Sequence, residues 1–280
     1  MNILNVKNPF NAPVYHEETV SSTMDVSHRL VSENAPQSDA KFIAHGTVIT
    51  ADFQEAGRGR INERSWEMKR GENLAFTIIL HYPQIEEIPK ALTLRAGLAV
   101  SLAVEDFSPS LKNSIFVKWP NDIMINGKKT AGILCEAADG YVHIGIGINV
   151  MQKEFPDHLK EKATSIFYEQ ITYNREQITD NSNLRFDEQL TANGSIYKLL
   201  ALILQRLYNE LETALSGSWK FRLEQRLYKK GEHVTFIEGA ADSGKMIKGI
   251  LRGIGESGEL LILPENENEV RSFFSGELKY

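Results

Sequence analysis

IFVKWPNDIMINGKKTAGILCEAADGYVHIGIGINV, residues 115–150, decides the fold. Its apolar runs are broken at Asn126-Gly127 and at Asp139-Gly140. Asn-Gly and Asp-Gly tolerate the positive φ angles that a two-residue hairpin turn needs. The stretch therefore predicts an antiparallel meander: IFVKWP ending at Pro120, IMINGKKTAGILCE folding at the first turn, and AADGYVHIGIGINV at the second. Alternate residues of a strand share a face. Val142, Ile144, Ile146 and Ile148 then face a core, and Tyr141, His143, Gly145, Gly147 and Asn149 face the other way.

Upstream, ALTLRAGLAVSLAVEDF (91–107) has helical periodicity, with Leu92, Ala96, Ala99, Ala103 and Phe107 near one face. TVITADF (47–53) and NLAFTIILHY (73–82) read as strands. SSTMDVSHRLVSEN (21–34) reads as a capped helix and residues 14–17 as a short strand. Downstream, 151–192 is polar and irregular, SIYKLLALILQRLYNELETAL (195–215) is a long amphipathic helix, and 219–229 is a second helical stretch. From Gly231 short strands separated by glycine-rich turns predict a small β-barrel. The whole predicts an α+β fold, with a mixed or antiparallel sheet and flanking helices over 1–229 and the small barrel over 230–280.

A chain of 280 residues can hold one large domain and a small one. No apolar run approaches about 18 residues, so no transmembrane helix and no membrane partner is expected. The N-terminus lacks the pattern of a signal peptide. One cysteine, Cys135, excludes an internal disulfide and suits a reducing cytoplasm; in its apolar run it reads as a small buried hydrophobe. The net charge of −6 argues against an extended basic face for nucleic acid.

Against that charge, AGRGRINERSW (56–66) carries Arg58, Arg60 and Arg64 with Gly57 and Gly59. It hangs in a long loop between two strands, where long loops are usually functional. Guanidinium binds phosphate or carboxylate bidentately, so a small anion is expected there. Gly145 and Gly147 leave bare backbone on one face. Either a ligand or a packed helix can approach it. Gly132 interrupts a second apolar strand, with Lys129 at its entrance, solvated or functional. In KWPND (118–122), Asp122 either holds a magnesium ion beside phosphates or makes a turn with Asn121. GAADSGKM (239–246) nearly matches a phosphate loop, but Met246 replaces the hydroxyl and a strand pattern follows, so it reads as a hairpin turn. No HExxH, CxxC or GxSxG motif is present.

Together, and in this order, SST (21–23), ADFQEAGRGR with the later RSW, KWPND, KKTAGILCE, IGIGIN, KATSI (162–166) and FSGEL (274–278) resemble the bacterial biotin protein ligases. The chain departs from that pattern at Met24, where asparagine is common, and in the three residues before Arg64. It begins close to its first strand, which suggests the ligase-only type with no DNA partner.

The resemblance implies a biotin/lipoate ligase-like fold with an SH3-like C-terminal barrel, and a two-step reaction. Biotin and ATP give biotinyl-5′-AMP; the biotinyl group then passes to a lysine of the biotin carboxyl carrier protein of acetyl-CoA carboxylase. It implies Arg58, Arg60 and Lys129 as catalytic cations. It implies Ser22, Thr23, Gln54, Gly57, Arg58, Arg60, Lys129, Gly132, Gly145 and Ile148 around biotin. It implies Arg60, Arg64, Trp66, Asn121, Asp122, Lys129 and Asn149 around ATP, with Trp66 stacked on adenine and Mg²⁺ near Asp122. A homodimer through the central sheet is also implied. Strand alternation sets Lys129 and Gly132 on opposite faces, so if both touch ligand a bulge must lie between them. The competing readings are a lipoate-type ligase or acyltransferase and a non-catalytic biotin sensor.

Overall fold

The computed structural model describes residues 1–34, 42–61, 65–177, 192–213, 217–239 and 244–279. The strands are β1 (Asn2–Ile3), β2 (Val14–Val20), β3 (Thr47–Gln54), β4 (Asn73–His81), β5 (Ile115–Lys118), β6 (Asp122–Ile125), β7 (Lys128–Ala138) and β8 (Tyr141–Asn149). They form one eight-stranded sheet in the order β1-β2-β3-β4-β8-β7-β6-β5. Only β2 and β3 run parallel. Their crossover is helix α1 (Thr23–Glu33).

Both turns of the 115–150 meander form as expected. Asn126 and Gly127 have φ of 49° and 78°, and Asp139 and Gly140 have 53° and 76°. The bulge expected between Lys129 and Gly132 if both touch ligand is also present. Met124 pairs with Lys129 and Ile123 with Ala131, so Thr130 is the extra residue.

The sheet is covered on both faces. Leu74, Phe76, Ile78 and Leu80 of β4 and Val142, Ile144, Ile146 and Ile148 of β8 enter the main core with helices α2 (Leu92–Phe107) and α4 (Ala192–Glu212). Helix α2 lies between the sheet and α4, which is why it is buried almost all round and why Phe107, at its end, is only partly covered. On the opposite face Val20, Ile49, Ala51, Ile79 and Tyr141 pack with Val26 and Val31 of α1. Helix α3 (Ile166–Gln177) lies in the stretch read as irregular, and α5 (Trp219–Glu224) is shorter than expected. After α5, Val117 and Leu227 form a parallel bridge that ends the helical run.

The C-terminal strands β9 (His233–Glu238), β10 (Lys245–Ile254), β11 (Leu260–Pro264), β12 (Arg271–Phe273) and β13 (Gly276–Leu278) make a five-stranded antiparallel sheet in the order β12-β11-β10-β9-β13. This small sheet is consistent with the expected SH3-like barrel, although it does not close. β12 and β13 are its two edges, three residues each, and do not pair among the described residues. The rejected phosphate loop lies between β9 and β10; 240–243 are outside the described residues, and β10 follows as a strand. No helix among the described residues is long and apolar enough to cross a membrane.

Candidate active site

The parallel pair β2–β3 brings Val20 beside Gln54, so the start of α1 and the end of β3 meet at one edge of a cleft. Ser22 caps α1, its hydroxyl accepting from the Met24 amide at 3.2 Å. Gln54 Oε1 accepts from the Thr23 amide at 2.8 Å and the Thr23 hydroxyl at 3.1 Å. The Thr77 hydroxyl in turn donates to Thr23 Oγ1 at 2.9 Å. These bonds fix the polar rim before any ligand arrives.

The floor of the cleft is glycine. The bare face of β8 is covered from α1 at one glycine and by the arginine loop's Trp66 at the other. A Cβ on Gly145 would lie 2.9 Å from Met24 Sδ, so the thioether of α1 fills that gap. A Cβ on Gly147 would lie 2.5 Å from Trp66 Cε2, and one on Gly132 would lie 3.5 Å from Trp66 Cζ3. The Trp66 indole therefore lies on the floor of the cleft, with Nε1 buried and without a hydrogen-bond partner. The space left between Ser22, Thr23, Gln54, Arg58, Lys129 and Gly145 is only ≈ 60 Å³.

A wider cavity of ≈ 520 Å³ adjoins it. Arg60, Trp66, Asn121, Asp122, Lys129 and Asn149 line it, so the residues expected around a nucleotide converge, Arg64 excepted because it lies outside the described residues. Lys129 Nζ pairs with Asp122 Oδ1 at 2.6 Å and lies 3.3 Å from the Cβ position of Gly132. Its backbone is strapped by the following segment: its amide donates to Lys162 O at 2.8 Å and its carbonyl accepts from the Thr164 amide at 3.0 Å. Asn121 donates to Ile133 O at 2.9 Å, and Asn149 Oδ1 accepts from Asn73 at 2.8 Å.

The arginine loop folds back on itself. Arg58 and Ser65 form an antiparallel bridge, and the Trp66 amide donates to Gly57 O at 2.8 Å. Gly57 allows this crossing, since a Cβ there would lie 2.6 Å from the Trp66 carbonyl oxygen. Arg58 pairs with Asp25 at 2.8 Å, and Arg60 donates to the Gly276 carbonyl of the small sheet at 3.0 Å. Ile148 lines neither cavity; its parity on β8 turns it into the core.

Sequence reasoning passed over four residues of this site: Met24 as a wall, Thr77, Lys118 and Glu277. Lys118 is buried yet lines the wide cavity; burial pulls its pKa down to about 8, while the nearby Asp122 and Glu277 carboxylates act in the opposite direction. Its place in KWPND was the signal available. Cys135 is partly buried against the core, and desolvation pushes its thiol up to about 11, which removes it from chemistry at neutral pH.

Residues 18–150 match the family model described as the biotin/lipoate A/B protein ligase family. That stretch is just under half of the chain. Among the relatives of this chain, the bifunctional ligase/repressor BirA of Bacillus subtilis is 43% identical over 162 residues, covering 55% of this chain and 45% of that protein. The biotin–[acetyl-CoA-carboxylase] ligase of Mycobacterium tuberculosis is 31% identical, covering 53% and 54%. The chain spans about half the length of these curated relatives. Among solved structures, the biotin protein ligase from Aquifex aeolicus in complex with biotin and ATP matches with a TM-score of 0.68 and 28% identity, over 95% of this chain and 97% of that one.

Proposed function

We propose that this chain is an ATP-dependent biotin protein ligase. It forms biotinyl-5′-AMP and then transfers biotin to a lysine of a biotin carboxyl carrier protein, that of acetyl-CoA carboxylase being the expected acceptor. One observation carries the reading: Lys129, turned by the Thr130 bulge, stands over Gly132 at the junction of a glycine-floored cleft and a wider cavity that shares its cations. A carboxylic acid in the cleft and a nucleotide in the cavity would meet at that ammonium.

In the first step the biotin carboxylate oxygen bonds to the α-phosphorus of ATP and pyrophosphate leaves. Two anions must be brought together, and charge grows on the phosphate. Arg58, Arg60 and Lys129 offset the repulsion and stabilise that charge. In this role Arg58 would exchange Asp25 for the ligand. Ser22, Thr23 and Gln54 would hold the biotin head, with Gly57, Gly132 and Gly145 giving room. Trp66 would leave the cleft floor and stack on adenine, beside Asn121 and Asn149. Arg64 belongs to the same reading. In the second step the acceptor amine attacks the mixed anhydride and AMP departs. The enzyme need supply no nucleophile.

Mg²⁺ would enter with the nucleotide. It takes only one or two protein carboxylates and leaves the rest to phosphate and water. Asp122 lines the wide cavity and fits such a role, whereas no cluster of three metal-ligating side chains exists among the described residues to bind a metal unaided. We place the reaction in the cytoplasm, where the acceptor is made. We take 1–229 as the catalytic unit and 230–280 as its small companion. A homodimer through the central sheet belongs to the same reading; DNA, for a chain of charge −6, does not.

The test is exchange of labelled pyrophosphate into ATP. Wild type should exchange only with biotin. Arg58→Ala should lose on the order of 10²- to 10³-fold, equivalent to roughly 3–4 kcal/mol. Exchange with lipoate in place of biotin would overturn the substrate, and no exchange with any acid would overturn adenylation.

A further inference from the structure

The floor shared by the cleft and the cavity has an order. Directly opposed residues on neighbouring strands project to the same face. Gly147 of β8 is opposite Gly132 of β7, Gly132 is opposite Asp122 of β6, and Asp122 is opposite Lys118 of β5. Strands lie about 4.8 Å apart, so this row runs roughly 14 Å from Gly147 to Lys118. It passes from bare backbone, through a carboxylate, to an ammonium.

Lys118 is 3% exposed, and its charge is not required by the core, which β5 serves through Ile115 and Val117. Burying an ammonium is costly without facing charge. Asp122 supplies one such charge from the row. Glu277 supplies another from β13 of the small sheet, on the wall of the same cavity. The end of the row farthest from the glycines thus keeps a desolvated cation at the cavity surface.

We propose that Lys118 binds the β- and γ-phosphates of the nucleotide and holds them as they depart as pyrophosphate. This rests on the adenylation reading and adds a residue to it. With the acid over Gly147 and Gly132 and the α-phosphate at Lys129, the polyphosphate chain extends along the row toward Lys118. In the step itself, the bond from the α-phosphorus to its bridging oxygen breaks and pyrophosphate takes the electron pair. The Lys118 ammonium lies where that charge accumulates. It has no part in the second step, because pyrophosphate has gone before the acceptor lysine attacks.

Lys118→Met separates the two steps. The assays are pyrophosphate exchange, using whichever carboxylic acid supports it in wild type, and transfer from preformed acyl-adenylate to the acceptor domain. Exchange should fall on the order of 10²-fold with a raised KM for ATP, while transfer stays within about twofold of wild type. Exchange at the wild-type rate, or parallel loss of exchange and transfer, overturns the proposal, the latter by making Lys118 a structural counter-ion. A wrong choice of biotin shows only as a different acid and leaves this comparison intact. A second reading needs no variant. In the wild-type protein, amine-selective labelling followed by mass spectrometry should find Lys118 protected by pyrophosphate alone and not by biotin alone. Labelling of Lys118 that pyrophosphate leaves unchanged overturns the proposal even if the variant fails to fold.

Discussion

Gly147 and Trp66 occupy one space between them, and this has a consequence for binding. An indole 2.5 Å from a would-be Cβ, in a cleft with ≈ 60 Å³ to spare, leaves no room for a bicyclic acid. Trp66 must move when ligand binds, and its unpartnered Nε1 makes the resting position an inexpensive one to leave. Of the three tryptophans, Trp119 and Trp219 are buried, only 3% and 9% exposed. Adding biotin and ATP should therefore shift the emission spectrum, and the shift should vanish in Trp66→Phe. An equal shift in that variant would show that the indole stays put.

A second single-residue effect concerns acid stability. His143 is fully buried, its Nδ1 2.9 Å from Ser27 Oγ and its ring 3.9 Å from that of His28, which in turn pairs with Glu136. Burial, with His28 adding to it, lowers the His143 pKa from 6.5 to about 4. The unfolded chain binds this proton first, so the stability it contributes is present above pH 6.5 and is lost as pH falls toward 4. The loss is roughly 3 kcal/mol at most. Urea midpoints measured from pH 7 to pH 4 should decline less steeply in His143→Asn; identical slopes would remove His143 from the account.

At the scale of elements, local chemistry made the meander readable and long-range contact made other parts opaque. The turns at Asn126-Gly127 and Asp139-Gly140 need only their own residues, and both were legible. So was the bulge, on the condition that Lys129 and Gly132 both serve one ligand. Helix α3 was not. Its amphipathicity is weak, and its start is fixed by Ser165, which accepts from the Tyr168 amide at 3.2 Å, inside a polar stretch. Yet α3 supports the site. Glu169 accepts from Asn126 of the first turn and from the Thr164 hydroxyl, both at 2.6 Å. Those bonds tie the helix to the hairpin and to the strap across Lys129. Glu169→Ala would leave both donors without their acceptor and should destabilise the fold by about 2–4 kcal/mol. A urea midpoint within error of wild type would show that the strap stands without it.

At the scale of the molecule, the small sheet completes a site that the large one begins. The glycine floor and the arginine loop were legible because their chemistry is concentrated in short runs. The pairing of Arg60 with Gly276, and the approach of Glu277 to Lys118, were not, since they depend on how two sheets dock. The contacts at that junction are specific: Trp119 Nε1 donates to Gly258 O at 2.9 Å, and the Ile254 amide donates to Glu224 at 3.2 Å. Arg60 is held at 3.0 Å by the Gly276 carbonyl, so the loop's posture is set partly by β13. Gly276 has φ of 138°, and a Cβ there would lie 2.3 Å from both Ile237 O and Phe236 Cζ. Gly276→Ala must therefore shift β13, and with it the acceptor for Arg60. The ladder between β4 and β8 is made by other residues, so its hydrogen bonds should survive. Amide exchange read by mass spectrometry should then show faster exchange in β13 and at residues 65–72, unchanged protection in β4 and β8, and a raised KM for ATP. Exchange that quickens in β13 alone, with KM unaltered, would mean that the loop keeps its place without the small sheet.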